Sequence, residues 1–189
     1  MMKKLTIAVM LFGVGVCSSV HAEYTDCNVL FSPTSQDYGR IHKDELNFTS
    51  TDKGQAAELR KRQVQLTVTC PEKETFDLTF LGNITENSDL AFSDNGKVIL
   101  TVTSLSADSG DVFIKRTTGK TVSTDPVSSL RVYMGDRIKP VDAGGLPLAV
   151  RSLNATLEIT PWLGQNTYRD LADDKKIEST LTVRIEQSE

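Results

Sequence analysis

The sequence predicts an all-β protein, and more narrowly a single exported β-sandwich. The first observation is a set of short segments in which apolar and polar residues alternate, most clearly in RQVQLTVTC at 62–70. A period of two carried by β-branched residues is typical of a half-buried strand. The second is the absence of a convincing long helical pattern, and the third is an N-terminal segment with the composition of a signal peptide.

The N-terminal segment predicts export. Lys3 and Lys4 precede an uncharged, mostly apolar run at 5–16, and residues acceptable for cleavage occupy 20–22. The apolar run is too short to span a membrane. A lipoprotein acylated at Cys17 is the alternative, which the bulky residue before that cysteine disfavours.

Removal of a signal peptide at 1–22 leaves 167 residues, enough for one domain at 23–189 with a sizeable core. It also takes the formal net charge from −4 to −6, so neither nucleic acid nor an anionic lipid surface is an expected partner. Cys27 and Cys70 are then the remaining cysteines. In an oxidising compartment such a pair is expected to form a disulfide, worth about 4 kcal/mol on the chain-entropy model.

The strands are predicted in order along the chain. The Asn95-Gly96 pair signals a hairpin before the fourth of them. A helical turn is expected near 56–60, Pro71 is expected to end its strand, and Pro161 to end or bend its own. The predicted strands are 28–32, 62–70, 75–81, 98–103, 111–116, 129–134, 148–162 and 177–185. In the first strand, the alternation leaves open whether Val29 and Phe31 or Leu30 face the core.

Four stretches together resemble a known family. They are CNVL at 27–30 followed by DYG at 37–39, LTVTC at 66–70, the region from LPLAV to LEITP at 146–161, and the alternating strand at 179–185. This combination resembles the subunits (pilins) of the chaperone–usher fimbriae of Gram-negative bacteria, and most closely the fimbrial-like proteins of enterobacterial fimbrial operons.

The resemblance implies an immunoglobulin-like sandwich that lacks its last strand. In such subunits a hydrophobic groove lies beside the C-terminal strand, and here Leu181, Val183 and Ile185 would line it. A periplasmic fimbrial chaperone fills the groove with its own strand, and a neighbouring fimbrial subunit later replaces it. The implied partners also include an outer-membrane usher and a host receptor. The implied location is a fimbrium at the cell surface, reached through the periplasm.

The chain departs from the pilin pattern at both ends. Only residues 23–26 would precede Cys27 after cleavage, whereas a donor strand needs about 8–10 residues. A subunit that accepts a strand without donating one is expected at a fibre end. The C-terminal residues 187–189 lack the aromatic penultimate residue common in the family, which bears on the details of chaperone contact.

No catalytic constellation is visible, so the sequence predicts no enzyme, metal or cofactor. His42 is the single histidine after residue 22 and lies in a polar segment, where a solvated loop residue is expected. Two other functions compete with the fimbrial one. One is a ligand-binding sandwich for a sugar or polymer that never polymerises, and the other is a secreted hydrolase on a β-sandwich scaffold.

Overall fold

Two antiparallel β-sheets make up the described part of the chain. The computed structural model describes residues 27–51, 54–92, 95–118, 125–164, 166–169 and 178–187. Within these residues the strands are β1 (Asn28–Ser32), β2 (Phe48–Thr51), β3 (Gly54–Glu58), β4 (Arg62–Glu74), β5 (Phe76–Leu81), β6 (Leu90–Phe92), β7 (Gly96–Ala107), β8 (Phe113–Thr118), β9 (Leu130–Val132), β10 (Arg137–Val141), β11 (Val150–Gly164) and β12 (Thr182–Gln187). A 3-10 turn at Lys43–Glu45 and helix α1 (Asn166–Arg169) are the helical elements there. The predicted all-β sandwich is confirmed, and the predicted signal peptide at 1–22 lies outside the described residues.

The first sheet is organised around β11. On one side β11 pairs with β4, and further along with β3; on the other side it pairs with β7. Strand β1 pairs with β4, β2 with β3, and both β6 and β9 with β7. The second sheet has the order β12-β5-β10-β8.

The core lies between the two sheets and follows the period of two. Along β11 the side chains of Leu153, Ala155 and Leu157 are buried, as the alternation predicted. Phe76 and Phe80 of β5 face them from the second sheet and are among the largest fully buried side chains. Apolar burial of this kind is worth about 1.5–3 kcal/mol for each large side chain and dominates the folding free energy.

Pro71 does not end its strand, contrary to the prediction, and Pro161, which was predicted to end or bend its strand, does not end it. Pro71 lies within β4, opposite the register shift between Val150 and Ser152, where an irregular ladder has no need of its missing N–H. Pro161 lies within β11 at the point where its partner changes from β4 to β3. Its carbonyl accepts a hydrogen bond from the N–H of Leu59 at 2.8 Å.

The segment near 56–60 is not the predicted helical turn. It contains the end of β3, in which Ala57 pairs with Leu163 of β11. Ala57, Leu59 and Leu163 are buried together in a small second apolar cluster. Burial against β11 therefore overrides the local preference of an alanine pair for helix.

A buried ion pair joins the two sheets on the side of β8 and β9. Arg116 of β8 donates through Nε to Oδ2 of Asp136 at 2.7 Å, and both side chains are almost fully buried. The same carboxylate oxygen accepts the N–H of Tyr133 at 2.9 Å. Arg116 also bonds to the backbone carbonyl of Arg131 in β9, which links the second sheet directly to the first.

We expect Asp136→Ala to lower the free energy of unfolding by roughly 3–5 kcal/mol, because it leaves the Arg116 charge buried without its carboxylate. The matched control is Lys61→Ala, which removes an ion pair with Glu158 of similar length, 3.1 Å, but with both side chains partly exposed. Its cost should stay below about 1 kcal/mol. Chemical denaturation measures both, and equal costs would contradict the structural role of the buried pair.

Asp108 follows β7 and fixes the start of β11. Its Oδ1 accepts the backbone N–H groups of Ser152 at 3.1 Å and Arg151 at 3.0 Å, and Lys73 lies 3.8 Å from its other oxygen. The Ser152 N–H, the Arg151 N–H and the Lys73 charge hold the pKa of Asp108 below its ordinary value of 3.8. The ionised carboxylate therefore stabilises the folded state.

Because the pKa of Asp108 is depressed in the folded chain, its contribution is fully present above the unfolded value of 3.8 and is lost as the pH falls through the folded value. Asp108→Ala should thus lower the melting temperature at pH 7, and the gap to the parent chain should close below pH 3.8. Melting curves across this range test the effect. A gap that does not depend on pH would exclude a charge effect at Asp108.

Candidate functional site

The C-terminal strand β12 forms an edge of the second sheet. Among the described residues it pairs with β5 alone. Val183 is buried, and Leu181 and Ile185 are half-buried and pack against the main core, so the structure brings the three predicted groove residues together on the inner face. The strand itself is shorter than predicted, since it begins at Thr182 and residues 178–181 precede it as irregular chain.

The backbone geometry of β5 shows which peptide groups of β12 face outward. Phe80 of β5 uses both its N–H and its carbonyl toward the β10 side, in hydrogen bonds with Asp136 and Gly135. Because peptide groups alternate in direction along a strand, the residues that bond β12 to β5 are its even-numbered ones. The peptide groups of Val183 and Ile185 therefore face the free edge, although their side chains face the core.

Strand β1 is an edge of the first sheet and lies against β12. Val29 and Phe31 are half-buried and pack on the main core, whereas Leu30 is 56% exposed. This settles the alternative left open by the sequence in favour of Val29 and Phe31. The side chains that face inward from β1 thus approach those that face inward from β12.

The same alternation determines the direction in which the peptide groups of β1 point. The carbonyl of Pro161 faces the β3–β4 side of β11, so the other odd-numbered residues of β11, including Leu153, bond to β4. Val68, opposite Leu153, then faces β11, and its neighbours in β4 bond to β1 through the even-numbered residues of that strand. The peptide groups of Val29 and Phe31 are left on the free side.

These two edges form a single surface, which we call the open edge and define by Val29, Phe31, Leu181, Val183 and Ile185. At Val29, Phe31, Val183 and Ile185 the side chain points toward the core while the peptide group points away from its own sheet, and Leu181 adds a core-facing side chain just before β12. The arrangement provides apolar contacts and backbone hydrogen-bonding groups along the same line. An added strand with alternating apolar residues fits both requirements.

The predicted disulfide is present and fastens one side of the open edge. Cys27 and Cys70 are bonded, with their Cα atoms 4.1 Å apart. Since Asn28 lies opposite Thr69, the two cysteines are directly opposite in adjacent strands, at the close spacing of a pair that shares no backbone hydrogen bonds. The bond ties β1 to β4, which is its one neighbour among the described residues.

The disulfide was also the sequence signal for the orientation of β1. Two cysteines directly opposite in neighbouring strands share a face, and Cys70 shares its face with Val68 by the period of two. Cys27 therefore faces the core, and Val29 and Phe31, two and four residues further on, must face it too.

The described residues show no cluster of side chains that could hold a metal ion. They contain no group of three or more His, Cys, Asp or Glu side chains placed to hold a metal ion. His42 is exposed in the loop between β1 and β2. No helix in the part of the chain that the structure describes is long and apolar enough to cross a membrane.

The fold and the open edge define a two-sheet antiparallel sandwich with two adjacent edge strands. No family model matches this chain, and no curated protein matches its sequence.

We expect the double substitution Cys27→Ser with Cys70→Ser to lower the free energy of unfolding by about 2–4 kcal/mol. For a chain of this size that corresponds to a fall of roughly 5–15 °C in the melting temperature. Hydrogen exchange gives the local readout. The amides of β1 that bond to β4, including that of Leu30, should exchange much faster in the variant, while those in the centre of β11 serve as the internal control. Equal acceleration in both strands would show that the disulfide does not act specifically on β1.

Proposed function

We propose that this protein is a structural subunit of a chaperone–usher fimbria or of a related fimbrial-like adhesin assembly, and that it accepts a donor strand at the open edge. The observation that carries the proposal is the coincidence, at Val29, Phe31, Val183 and Ile185, of core-facing side chains with outward-facing peptide groups on two adjacent edges. A sandwich of immunoglobulin type lacking its last strand has this arrangement.

The donor strand would lie beside β12. Its backbone would bond to the peptide groups of Val183 and Ile185, and its alternate side chains would cover the half-buried apolar residues on both edges. Affinity then comes mainly from the backbone, and specificity from the fit of alternate side chains. Burying the exposed part of these side chains also stabilises the accepting subunit.

In this proposal the protein is secreted and non-enzymatic, and it has three kinds of protein partner. A periplasmic fimbrial chaperone would supply the strand first, an outer-membrane usher would catalyse its exchange, and a neighbouring fimbrial subunit would provide the final strand at the cell surface. The signal-peptide composition of residues 1–22 and the Cys27–Cys70 disulfide both support passage through the periplasm.

A test compares the chain expressed in the periplasm with and without a fimbrial chaperone. Soluble protein in a one-to-one chaperone complex is expected, with little soluble protein alone. A donor peptide from a sister subunit should displace the chaperone and, at about one hundred times its Kd, raise the melting temperature by roughly 5–10 °C. A stable monomer that ignores such peptides would refute the proposal and favour the non-polymerising binding sandwich.

Two neighbouring residues of β12 give a matched pair of variants for this peptide assay. Val183→Asp places a charge among the apolar side chains of the open edge and should abolish the stabilisation by the peptide. Arg184→Asp introduces the same aspartate side chain on the exposed outer face, and the stabilisation by the peptide should stay unchanged. Ile185→Thr, at a half-buried position, is the milder variant if Val183→Asp does not fold.

The contribution of backbone hydrogen bonds to peptide binding can be measured separately from that of the side chains. A donor peptide N-methylated at the residues whose N–H groups face β12 should lose stabilisation, whereas methylation at the intervening residues should be tolerated. Equal effects of both methylation patterns would contradict strand addition at this edge.

A further inference from the structure

The outer face of the first sheet has an uncharged area that spans three strands in one row and four strands in the next two. Between β1 and β7, three rows of side chains lie side by side in register, and none of them is charged. They are Asn28, Thr69 and Ser152 in the first row, Leu30, Thr67, Asn154 and Ser106 in the second, and Ser32, Gln65, Thr156 and Thr103 in the third. We call this surface the uncharged face.

The composition of the chain does not explain this surface. Charged residues make up 24% of the sequence, and the outer face of the second sheet carries them densely. There Lys139 lies 3.6 Å from Asp77, and Arg137 is bonded to Glu186. Charge is therefore segregated between two outer faces of the same sandwich.

Two charged pairs border the eleven uncharged side chains. Lys61 and Glu158 form an ion pair, 3.1 Å apart, beyond its third row. Asp108, 3.8 Å from Lys73, lies at the β7 end of the first row, where its N–H donates to the carbonyl of Ser152 at 3.2 Å. The two ion pairs therefore set the limits of the uncharged face.

The side chains of this face are held in place by one another. Thr67 Oγ1 donates to Asn154 Oδ1 at 2.9 Å, and Gln65 Nε2 donates to Thr156 Oγ1 at 3.1 Å. Thr103 Oγ1 donates to the carbonyl of Thr156 at 3.3 Å. Side chains already fixed lose little rotamer entropy when a ligand binds, so the face is preorganised for polar contacts.

We propose that the uncharged face binds an electrically neutral polysaccharide. Hydroxyl and amide groups both donate and accept hydrogen bonds, as sugar hydroxyls do, so the two surfaces match without any ionic group. The side chain of Leu30, 56% exposed in the middle row, provides an apolar contact for the C–H groups of a sugar ring. The ligand is neutral because no cation or anion on the face would compensate a charge.

Other classes of partner fit this surface less well. A nucleic acid requires Lys and Arg for its phosphates, and the face has none. Protein interfaces are enriched in aromatic residues and Arg and depleted in Ser, the reverse of what is found here. Four strands about 4.8 Å apart and five residues of about 3.3 Å give roughly 300 Å², well below the ~800 Å² per partner of a stable protein complex.

The test uses the full chain immobilised on beads, so that weak sites act together. The probes are dextran, yeast mannan and a neutral galactan, with heparin as the polyanionic comparison. Thr67→Glu and the isosteric Gln65→Glu each place one negative charge on the face and should weaken neutral-glycan binding at least tenfold. Thr117→Glu makes the same change on β8 of the charged sheet, beside Lys115 and Arg137, and should leave binding unchanged.

Three outcomes would overturn the proposal: no binding to any neutral glycan, binding that survives Thr67→Glu and Gln65→Glu in chains with unaltered melting curves, or binding to heparin alone. Association of the chain with itself through this face, detected by sedimentation and lost in Thr67→Glu, would identify a second copy as the occupant and would also overturn it. Because these side chains point away from the open edge, this test of glycan binding requires no donor strand. Either proposal can fail while the other holds.

Discussion

Both surfaces proposed above depend on the alternation of side chains along β11. This strand is paired on both sides, so its register sets the register of β4 on one side and β7 on the other. Through β4 it also sets β1. A slip of one residue would exchange every inward and outward side chain of a strand, which explains why Leu153 and Val68 must face the core together. The β1 side of the open edge and the uncharged face are therefore two consequences of one register, whereas the β12 side is set by pairing with β5.

An edge with half-buried apolar residues costs stability, and the fold compensates at other places. On the side of β1 the disulfide between Cys27 and Cys70 holds the strand that has a single neighbour among the described residues. On the side of β8 and β9 the buried Arg116–Asp136 pair links the two sheets. A buried pair is poor evidence for added stability, but it specifies a single geometry, because separating its partners leaves an uncompensated charge. The two sheets are thus fixed relative to each other beside β8 and β9. Among the described residues, no strand joins the edges β1 and β12.

Most of the central strands were predictable from the sequence, because 62–70, 75–81 and 148–162 carry alternating patterns. Strands β2, β3, β6 and β10 were not predicted. Strand β10, RIKPV, contains a proline and two cations and becomes a strand by pairing between β5 and β8. The effect of a proline on its strand was hard to predict for a related reason. Whether Pro161 ends a strand depends on which neighbour faces its missing N–H, and the neighbouring strands change partner at that point.

The candidate surfaces were predictable to different degrees. The three residues of β12 followed from alternation and resemblance, but an open edge is a property of pairing that no single residue reveals. Cys27 carries information about which side chains of β1 face the core. That information could be used only once the register between β1 and β4 was known. The uncharged face was not visible at all, because Leu30, Thr67 and Asn154 are far apart in the chain and become one row only when β1, β4 and β11 align.

Strand β1 belongs to both surfaces and uses opposite sides for each. Its inward side chains, Val29 and Phe31, line the open edge, while Leu30 points outward onto the uncharged face. A strand added beside β12 would extend the sandwich laterally and would leave that outer face uncovered. If the chain is incorporated at fibre ends, as the short segment before Cys27 predicts, copies on neighbouring fibres would present the same neutral face, and contacts that are weak singly would gain avidity through their number. The donor strand would also hold β1 more firmly, since it covers the apolar side of the strand whose outer side carries Leu30. Strand acceptance would then make the uncharged face more rigid without contacting it, and a rigid face loses less conformational entropy on binding.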